Sequence, residues 1–401
     1  MSKNNKILVI LTEGLPNKEK GASAVIFYQF INYLLKKNKD VHILAILKKN
    51  IKKKEKKKFL DSFKKRQIKS YNQVIYNNMY NHNKYNILLK NINTKRLDKR
   101  IIDKIKNINP KKILALDITA GSFAKQIFKK NIYLWLGDLN YRTYWYHFYY
   151  NYKNTIKYYF YYTYVKLIIS KWKNFYKKVL YGTKNISGSY INIKDLKNIG
   201  IKTKYHSYPW PINNKNTRVK KKKKPSFVFF GNLSGLGSKS AINYLISNIY
   251  PKFTENWGSN GFKIYICGTY KINPIYYDKI KQMKNLKLMG YVKNINDLVL
   301  KCHGCLFPID VPVGNRSRIV TAMGSRWPII AHTNVSLGNP SLKSGYNCYL
   351  ANNIDEFLNY SKTLFEEDRI SKKITLNAYN SYKINFSPNN SLKKFSKFIN
   401  E

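Results

Sequence analysis

Twice along this chain an unbroken apolar run leads into a glycine-bearing loop, an amphipathic segment and another apolar run, an order that few folds can satisfy. The first series opens with KILVIL, passes through a polar loop from Thr12 to Lys20, restarts at Gly21 with the amphipathic AVIFYQFINYLLKK and reaches DVHILAIL. In the amphipathic segment Val25, Phe27, Tyr28, Phe30, Ile31, Tyr33, Leu34 and Leu35 share one broad helical face, whereas Val41 to Leu47 reads as a strand. Strand, loop, helix and parallel strand make a βαβ unit. KKILALDI, NIYLWLGDL, KVLYGTKNISGS and KTKYHSYPWP read as further strands of this half.

The second series starts at PSFVFFGNLSG, a strand with a glycine loop. It continues with SAINYLISNIYPKF (helix), FKIYICG (strand), PIYYDKIKQM (helix), LKLMGYV (strand), NDLVLKC (short helix), HGCLFPID (strand), RSRIVTAMGS (helix), and the strands RWPIIAH and NCYLA. Amphipathic helices close the chain from Ile354 to Glu401. Between the series NNKNTRVKKKKKP has like charges and no apolar period, which marks a linker. The fold class expected is α/β, with two Rossmann-like doubly wound parallel-sheet domains and a ligand cleft between them at the strand C-termini. A first domain over 1–210, a basic linker over 211–225 and a second domain over 226–385 follow from that reading.

Length and composition agree. A chain of 401 residues with 44% hydrophobic content is long for one core and rich enough for two. Its formal charge of +54, from 74 Lys+Arg against 20 Asp+Glu, attracts polyanions. The excess is spread along the chain, however, and Lys, Asn, Ile, Tyr and Phe are all residues of A/T-rich codons, so charge alone identifies no partner. The N-terminal apolar run is short and lacks a small-residue cleavage site, so it reads as a first strand and not as a signal peptide, and no apolar stretch reaches the length of a bilayer span. Cys302-His303-Gly304-Cys305 lacks the second cysteine pair of a structural zinc site, so the four cysteines are expected to be reduced core thiols.

Loops after strands line the ligand edge of a parallel sheet, where helix N-termini offer free N–H groups and a positive dipole end to phosphate. Three such loops stand out: Gly231-Asn232-Leu233-Ser234-Gly235, Cys267-Gly268-Thr269, and Gly314-Asn315 before Arg316 and Arg318. A glycine loop alone also fits an ordinary tight turn. Two arginines in the first turn of a helix, expected over Arg316 to Gly324, are different. They oppose the dipole, a penalty that an anion bound between them would reverse, and a guanidinium matches phosphate oxygens two at a time. Asp138 ends a strand in LWLGDL and is one of few acids on that edge, with capping of the next helix as its alternative role.

The run FVFFGNLSG…SAINYLISNIYPKF, FKIYICG, LKLMGYVKNINDLVLKCHGCLFPI, VGNRSRIVTAMGSRWPIIAH and NCYLANNIDEFLNYSKTLF resembles, in order and spacing, the C-terminal domain of GT-B glycosyltransferases, nearest to the retaining family four, glycosyl transferases group 1. The resemblance implies a glycosyltransferase that moves a sugar from a nucleoside-diphosphate sugar to a glycan or lipid-linked acceptor, in surface polysaccharide or glycolipid synthesis. It implies a retaining and metal-independent reaction needing no cofactor beyond the donor substrate; the sequence indeed has no Asp-x-Asp pair. By the same resemblance Arg316 and Arg318 hold the donor diphosphate, Gly231, Asn232, Gly268 and Gly314 shape its loops, Tyr291 and Val292 lie near the base, Gly21 belongs to the acceptor-side loop, and a C-terminal helix over 386–401 returns to the first domain. Where the family carries a glutamate at the donor ribose, this chain has Thr321, and Val313 replaces a second glutamate eight residues earlier. Altered donor recognition or a catalytically silent scaffold are the two readings of that departure.

Tyr141 to Tyr190 contains no Asp or Glu, many tyrosines and frequent lysines. Most of these aromatics are expected to pack on the first domain, with an anionic membrane surface as partner for any left exposed, on the cytoplasmic, inner face. A nucleic-acid-binding protein is the competing reading of charge and interleaved aromatics, but no specific nucleic-acid motif is present.

Overall fold

The computed structural model describes residues 5–12, 14–19, 21–63, 68–81, 90–213, 221–268, 272 and 274–401. They form two compact units, Met1–Pro209 with Ser391–Glu401, and Trp210–Asn390. The strands of the first unit are β1 (Lys6–Leu11), β2 (Asp40–Leu47), β3 (Ser70–Ile75), β4 (Lys112–Leu116), β5 (Ile132–Leu136), β6 (Lys184–Ser187) and β7 (Lys204–Tyr205). Those of the second are β8 (Ser226–Phe230), β9 (Lys263–Cys267), β10 (Leu286–Gly290), β11 (Gly304–Phe307), β12 (Ile329–His332) and β13 (Tyr349–Ala351).

The sheet orders are β3-β2-β1-β4-β5-β6-β7 and β10-β9-β8-β11-β12-β13. Every pairing is parallel, for example Ile7↔Val41, Val9↔Leu114, Val228↔Tyr265 and Cys305↔Val228. A parallel sheet is covered on both faces, which is why its strands are continuous apolar runs. Leu8, Val9, Ile10, Leu114, Phe227, Val228 and Leu306 are all fully buried. In each sheet the order reverses once, between β1 and β4 and between β8 and β11, and at such a switch point the flanking loops diverge and leave a crevice.

Several expected elements change length for local reasons. KKILALDI yields only Lys112–Leu116, because Asp117 already caps the helix Ile118–Ile127. KTKYHSYPWP shrinks to Lys204–Tyr205. The edge strand Ser70–Ile75 had no signal, since Asn72 and Gln73 interrupt its apolar run. The aromatic region forms two helices, Asn140–Tyr152 and Lys157–Leu180, broken at 153–156. SAINYLISNIYPKF includes a five-residue π turn, Leu245–Ile249, directly ahead of Pro251, which has no N–H to give the preceding turn. Of the basic linker, 214–220 lie outside the described residues, and its last part is packed on the second unit: Lys222 N–H bonds to Lys301 O at 3.0 Å and Lys221 pairs with Asp368 at 3.1 Å. All four cysteines are buried free thiols, and burial pushes Cys267 and Cys348 up to about 12.

The helix Pro388–Asn400 completes the core of the first unit. Phe395 stacks on Phe30 at 4.3 Å, Phe398 meets Tyr133 at 5.4 Å, and Ser391 donates to Ser207 O. His206 is buried beside Phe30 and Phe395, and burial, aided by the charge of Lys394, lowers its pKa from 6.5 to about 4. An unfolded chain therefore takes up this proton first as pH falls, so stability is complete above 6.5 and declines towards 4. We expect the first unit to lose about 2 kcal/mol from this group by pH 5, a slope that His206→Phe should flatten in melts at pH 7 and 5. An unchanged slope would mean that other groups dominate the acid response.

Candidate active site

The switch point of the second sheet lies between β8 and β11. Beyond β8 the chain turns at Gly231, with φ 143°, and enters the helix Leu236–Tyr244. Asn232 Oδ1 accepts from Ser234 N at 3.1 Å and from its hydroxyl at 2.8 Å, which fixes the loop. Beyond β11 the loop through Gly314 leads into the helix Ser317–Gly324. Arg316 is the N-cap of that helix, in extended conformation, a correction to the expected first-turn position, while Arg318 is in the first turn.

These two helix N-termini converge on the guanidinium groups. A Cβ on Gly231 would lie 2.6 Å from Arg318 Cζ, and one on Gly237 would lie 3.1 Å from Arg316 Cζ, so both glycines are spaces that arginine fills. Arg318 Nη2 donates to Ser238 Oγ at 3.0 Å, and Ser238 in turn donates to Asn232 O at 2.6 Å. The guanidinium lies over Phe229 at 5.2 Å, and its Nη1 is buried with no hydrogen-bond partner. No acidic side chain enters the first turn of either helix. Burial, and then the neighbouring charge of Arg316, lower Arg318 to about 9. A protein rarely leaves a buried charged donor unsatisfied, because the desolvation cost is not recovered. Two arginines, two positive helix ends and an open donor are groups with which a compact dianion would pair. Arg326, by contrast, is exposed, stacks on Tyr379 at 4.2 Å and has φ 53°, so it takes no part.

The first sheet reverses between β1 and β4. Thr12, directly after β1, donates to Asp117 Oδ2 across that gap, and Asp117 Oδ1 accepts from Ala120 N at 2.7 Å. Asp117 is buried with φ 115° and ψ 171°, a region that only glycine enters without strain, and such strain concentrates at functional sites. The sequence marked this acid only as a strand end. Beside it opens a cavity of about 1590 Å³, whose walls include Thr12, Gly14, Lys48, Tyr80, Thr119 and Asn140.

Residues 224–367 match the family model described as glycosyl transferases group 1, a stretch that contains the glycine loop and both arginines. Among solved structures, a glycosyltransferase from Rickettsia africae is similar over 99% of this chain and 98% of its own, with 14% identity and a TM-score of 0.66. Alr3699/HepE of Anabaena, solved in complex with UDP, is 13% identical over 98% of this chain and 99% of its own, with a TM-score of 0.64. TarM is 13% identical over 100% and 99%, with a TM-score of 0.67. The fold is GT-B. No curated protein sequence matches the chain.

Within this GT-B fold the remaining sequence-derived residues separate into groups. Gly268 belongs with the arginines, since a Cβ there would fall 2.0 Å from Gly231 O, so the backbones of the two loops touch; Thr269 lies outside the described residues. Gly314 has φ 75° and is pressed by Gly338, whose Cβ would meet its carbonyl oxygen at 1.9 Å. Tyr291 and Val292 follow the edge strand β10, with the Tyr291 ring 73% exposed and able to stack on a planar ring. Gly21 starts the first helix with φ 82° and does not line the cavity, whereas Gly14 to Glu19 of its loop do. Asp138 is exposed and follows β5, and the N-cap of the next helix is Leu139.

Thr321 is engaged within the second unit. Its hydroxyl donates to Ser317 O at 2.9 Å and accepts from Trp210 Nε1 at 2.9 Å, which leaves one lone pair. The Trp210 indole thus takes up hydrogen-bonding capacity of the hydroxyl that stands where the family has its glutamate, and no sequence pattern links these two distant residues. Trp210→Phe should lower the stability of the second unit by about 1 kcal/mol, and Thr321→Val should cost less in that background than alone, because the bond the two residues share is then already lost. Additive losses in denaturant midpoints would show that the two residues act separately.

Proposed function

We propose that this protein is a glycosyltransferase that moves a sugar from a nucleoside-diphosphate sugar to a glycan or lipid-linked acceptor, in surface polysaccharide or glycolipid synthesis. The observation that carries the reading is the pair of arginines between two helix N-termini, with Arg318 Nη1 buried and unsatisfied. Relatives in fold support it: HepE was solved with UDP-glucose, and WaaB is described as a lipopolysaccharide outer core galactosyltransferase.

In the reaction the bond from the anomeric carbon to the donor phosphate oxygen breaks, and the departing diphosphate gains negative charge. Arg316 and Arg318 meet that charge without reorganising, because packing and the Ser238 bond already hold them. The acceptor hydroxyl forms the new bond to the same carbon and releases its proton. Asp138, as the exposed acid after β5, is the candidate to receive it, while Asp117 is committed to Thr12 and Ala120 and keeps the switch point in shape. The reading is of a retaining reaction in which guanidinium groups and helix ends neutralise the diphosphate without a metal ion or further cofactor. It places the protein on the cytoplasmic side, peripheral to the membrane where the acceptor is lipid-linked.

A panel of nucleoside-diphosphate sugars, each assayed with a metal chelator present, tests this. One donor should raise the melting temperature and release its nucleoside diphosphate, with the product keeping the donor's anomeric configuration. Binding without turnover would favour the silent scaffold suggested by Thr321 and Val313. Absence of any binding would reject both.

A further inference from the structure

The helical pair Asn140–Tyr152 and Lys157–Leu180 has a distal end that the GT-B reaction does not use. In the longer helix the buried residues begin at Val165 and continue through Ile168, Trp172, Phe175, Tyr176, Val179 and Leu180, so no side chain of its first two turns is buried, although Tyr158 stacks on Phe148 of the shorter helix. Those turns nevertheless hold large apolar side chains. Ile156 is 72% exposed, Tyr159 78% and Phe160 76%, and Tyr161 and Leu167 are about half exposed. Ile156, Phe160 and Leu167 follow helical spacing along one side, with Tyr159 beside them. An exposed apolar cluster of this size is costly in water and marks an interaction surface.

The charge around it selects the occupant. From Leu139 to Lys194 there is no acidic residue, and Lys153, Lys157 and Lys166 lie among the rings. Lys153 Nζ is 5.0 Å from the Tyr150 ring centre, and Lys166 Nζ is 5.1 Å from both Trp145 and Tyr162. A second copy of this surface would set lysine against lysine with no carboxylate to answer it. A single-stranded nucleic acid would match the lysines and tyrosines but gains little from Ile156 and Leu167, which cannot stack on bases. An anionic bilayer offers both parts at once: phosphate for the lysines, and an interfacial layer in which tyrosine rings and aliphatic chains are favoured.

We propose that the end of this helical pair is a membrane anchor, which inserts Ile156, Tyr159 and Phe160 into the interfacial layer of an anionic membrane while Lys153, Lys157 and Lys166 contact lipid phosphates. The claim concerns binding alone and stands or falls separately from the transfer reaction. The test is sedimentation of the full chain with phosphatidylcholine vesicles, with and without phosphatidylglycerol. The wild type should bind only the anionic vesicles, and less as salt rises. Tyr159→Ser with Phe160→Ser, and separately Lys153→Gln with Lys157→Gln, should each weaken that binding by at least about tenfold. Because these side chains are exposed, melting temperature and nucleoside-diphosphate binding should stay as they are in the wild type. Failure of the wild type to bind anionic vesicles would overturn the proposal, as would binding by either variant as tight as that of the wild type. So would loss, in the Ser variant, of self-association or of binding to a single-stranded oligonucleotide in place of vesicle binding.

Discussion

Arg318→Ala is expected to weaken nucleoside-diphosphate binding by roughly tenfold to a hundredfold while leaving the unliganded protein as stable as before, or more stable. A charge-assisted bond to an anion contributes about 1.5–3 kcal/mol, which sets the size of the loss. The stability term has the opposite sign because the guanidinium is buried with Nη1 unsatisfied and lies beside Arg316, which together lower its pKa to about 9. Without an anion the folded chain carries that cost, so removing the charge removes it. Calorimetric titration and melting curves separate the two effects. Lys221→Ala is the control, since Lys221 makes a surface pair with Asp368 and adds the same formal charge. Equal loss of binding in both variants would show that the overall charge of +54 attracts the nucleotide and that no specific site does.

Gly268→Ala should damage both the fold and the site. The new methyl group would lie 2.0 Å from Gly231 O and 2.7 Å from Leu233 Cγ, and overpacking of this kind costs about 1–3 kcal/mol. The Gly231 peptide cannot retreat freely, because Gly231 already packs on the Arg318 guanidinium on its other side. Either the loop or the Arg318 guanidinium must therefore shift, and nucleotide binding should fall with stability. Gly235→Ala is the matched control: its Cβ would be 3.5 Å from Asn232 O, an ordinary contact, and its φ of −72° suits any residue. If Gly268→Ala melts and binds like Gly235→Ala, the two loops are not in the contact described.

Much of the fold was legible because parallel sheets write themselves as apolar runs: KILVIL, DVHILAIL, SFVFF and KIYIC all appear as strands. The edge strand at Ser70 was not, since an edge with Asn72 and Gln73 looks like a loop. At the donor side the unfavourable placement of arginines at a helix start drew notice to Arg316 and Arg318, and the structure brings them against Gly231 and Gly237. Ser238 could not be distinguished in advance from the other serines of its loop. Asp117 carries no signal of its own in KKILALDI, and only backbone conformation sets it apart from Asp138: Asp117 has φ 115° and bridges the switch point to Thr12. Trp210 and Thr321 are 111 residues apart, beyond the reach of any periodicity.

The first unit draws its last helix from beyond the second, with Phe395 stacked on Phe30 and Phe398 against Tyr133. During synthesis the chain lengthens at about 5–20 residues per second, so 210–390 take on the order of ten to forty seconds to emerge. For that interval the pocket that Phe395 fills stands open on a nascent unit whose strands are otherwise all made. The second unit, continuous in sequence, can finish folding before the one that was begun first. An incomplete first unit is therefore exposed to aggregation on the ribosome for that interval, and chaperones that cover its open face should raise the yield.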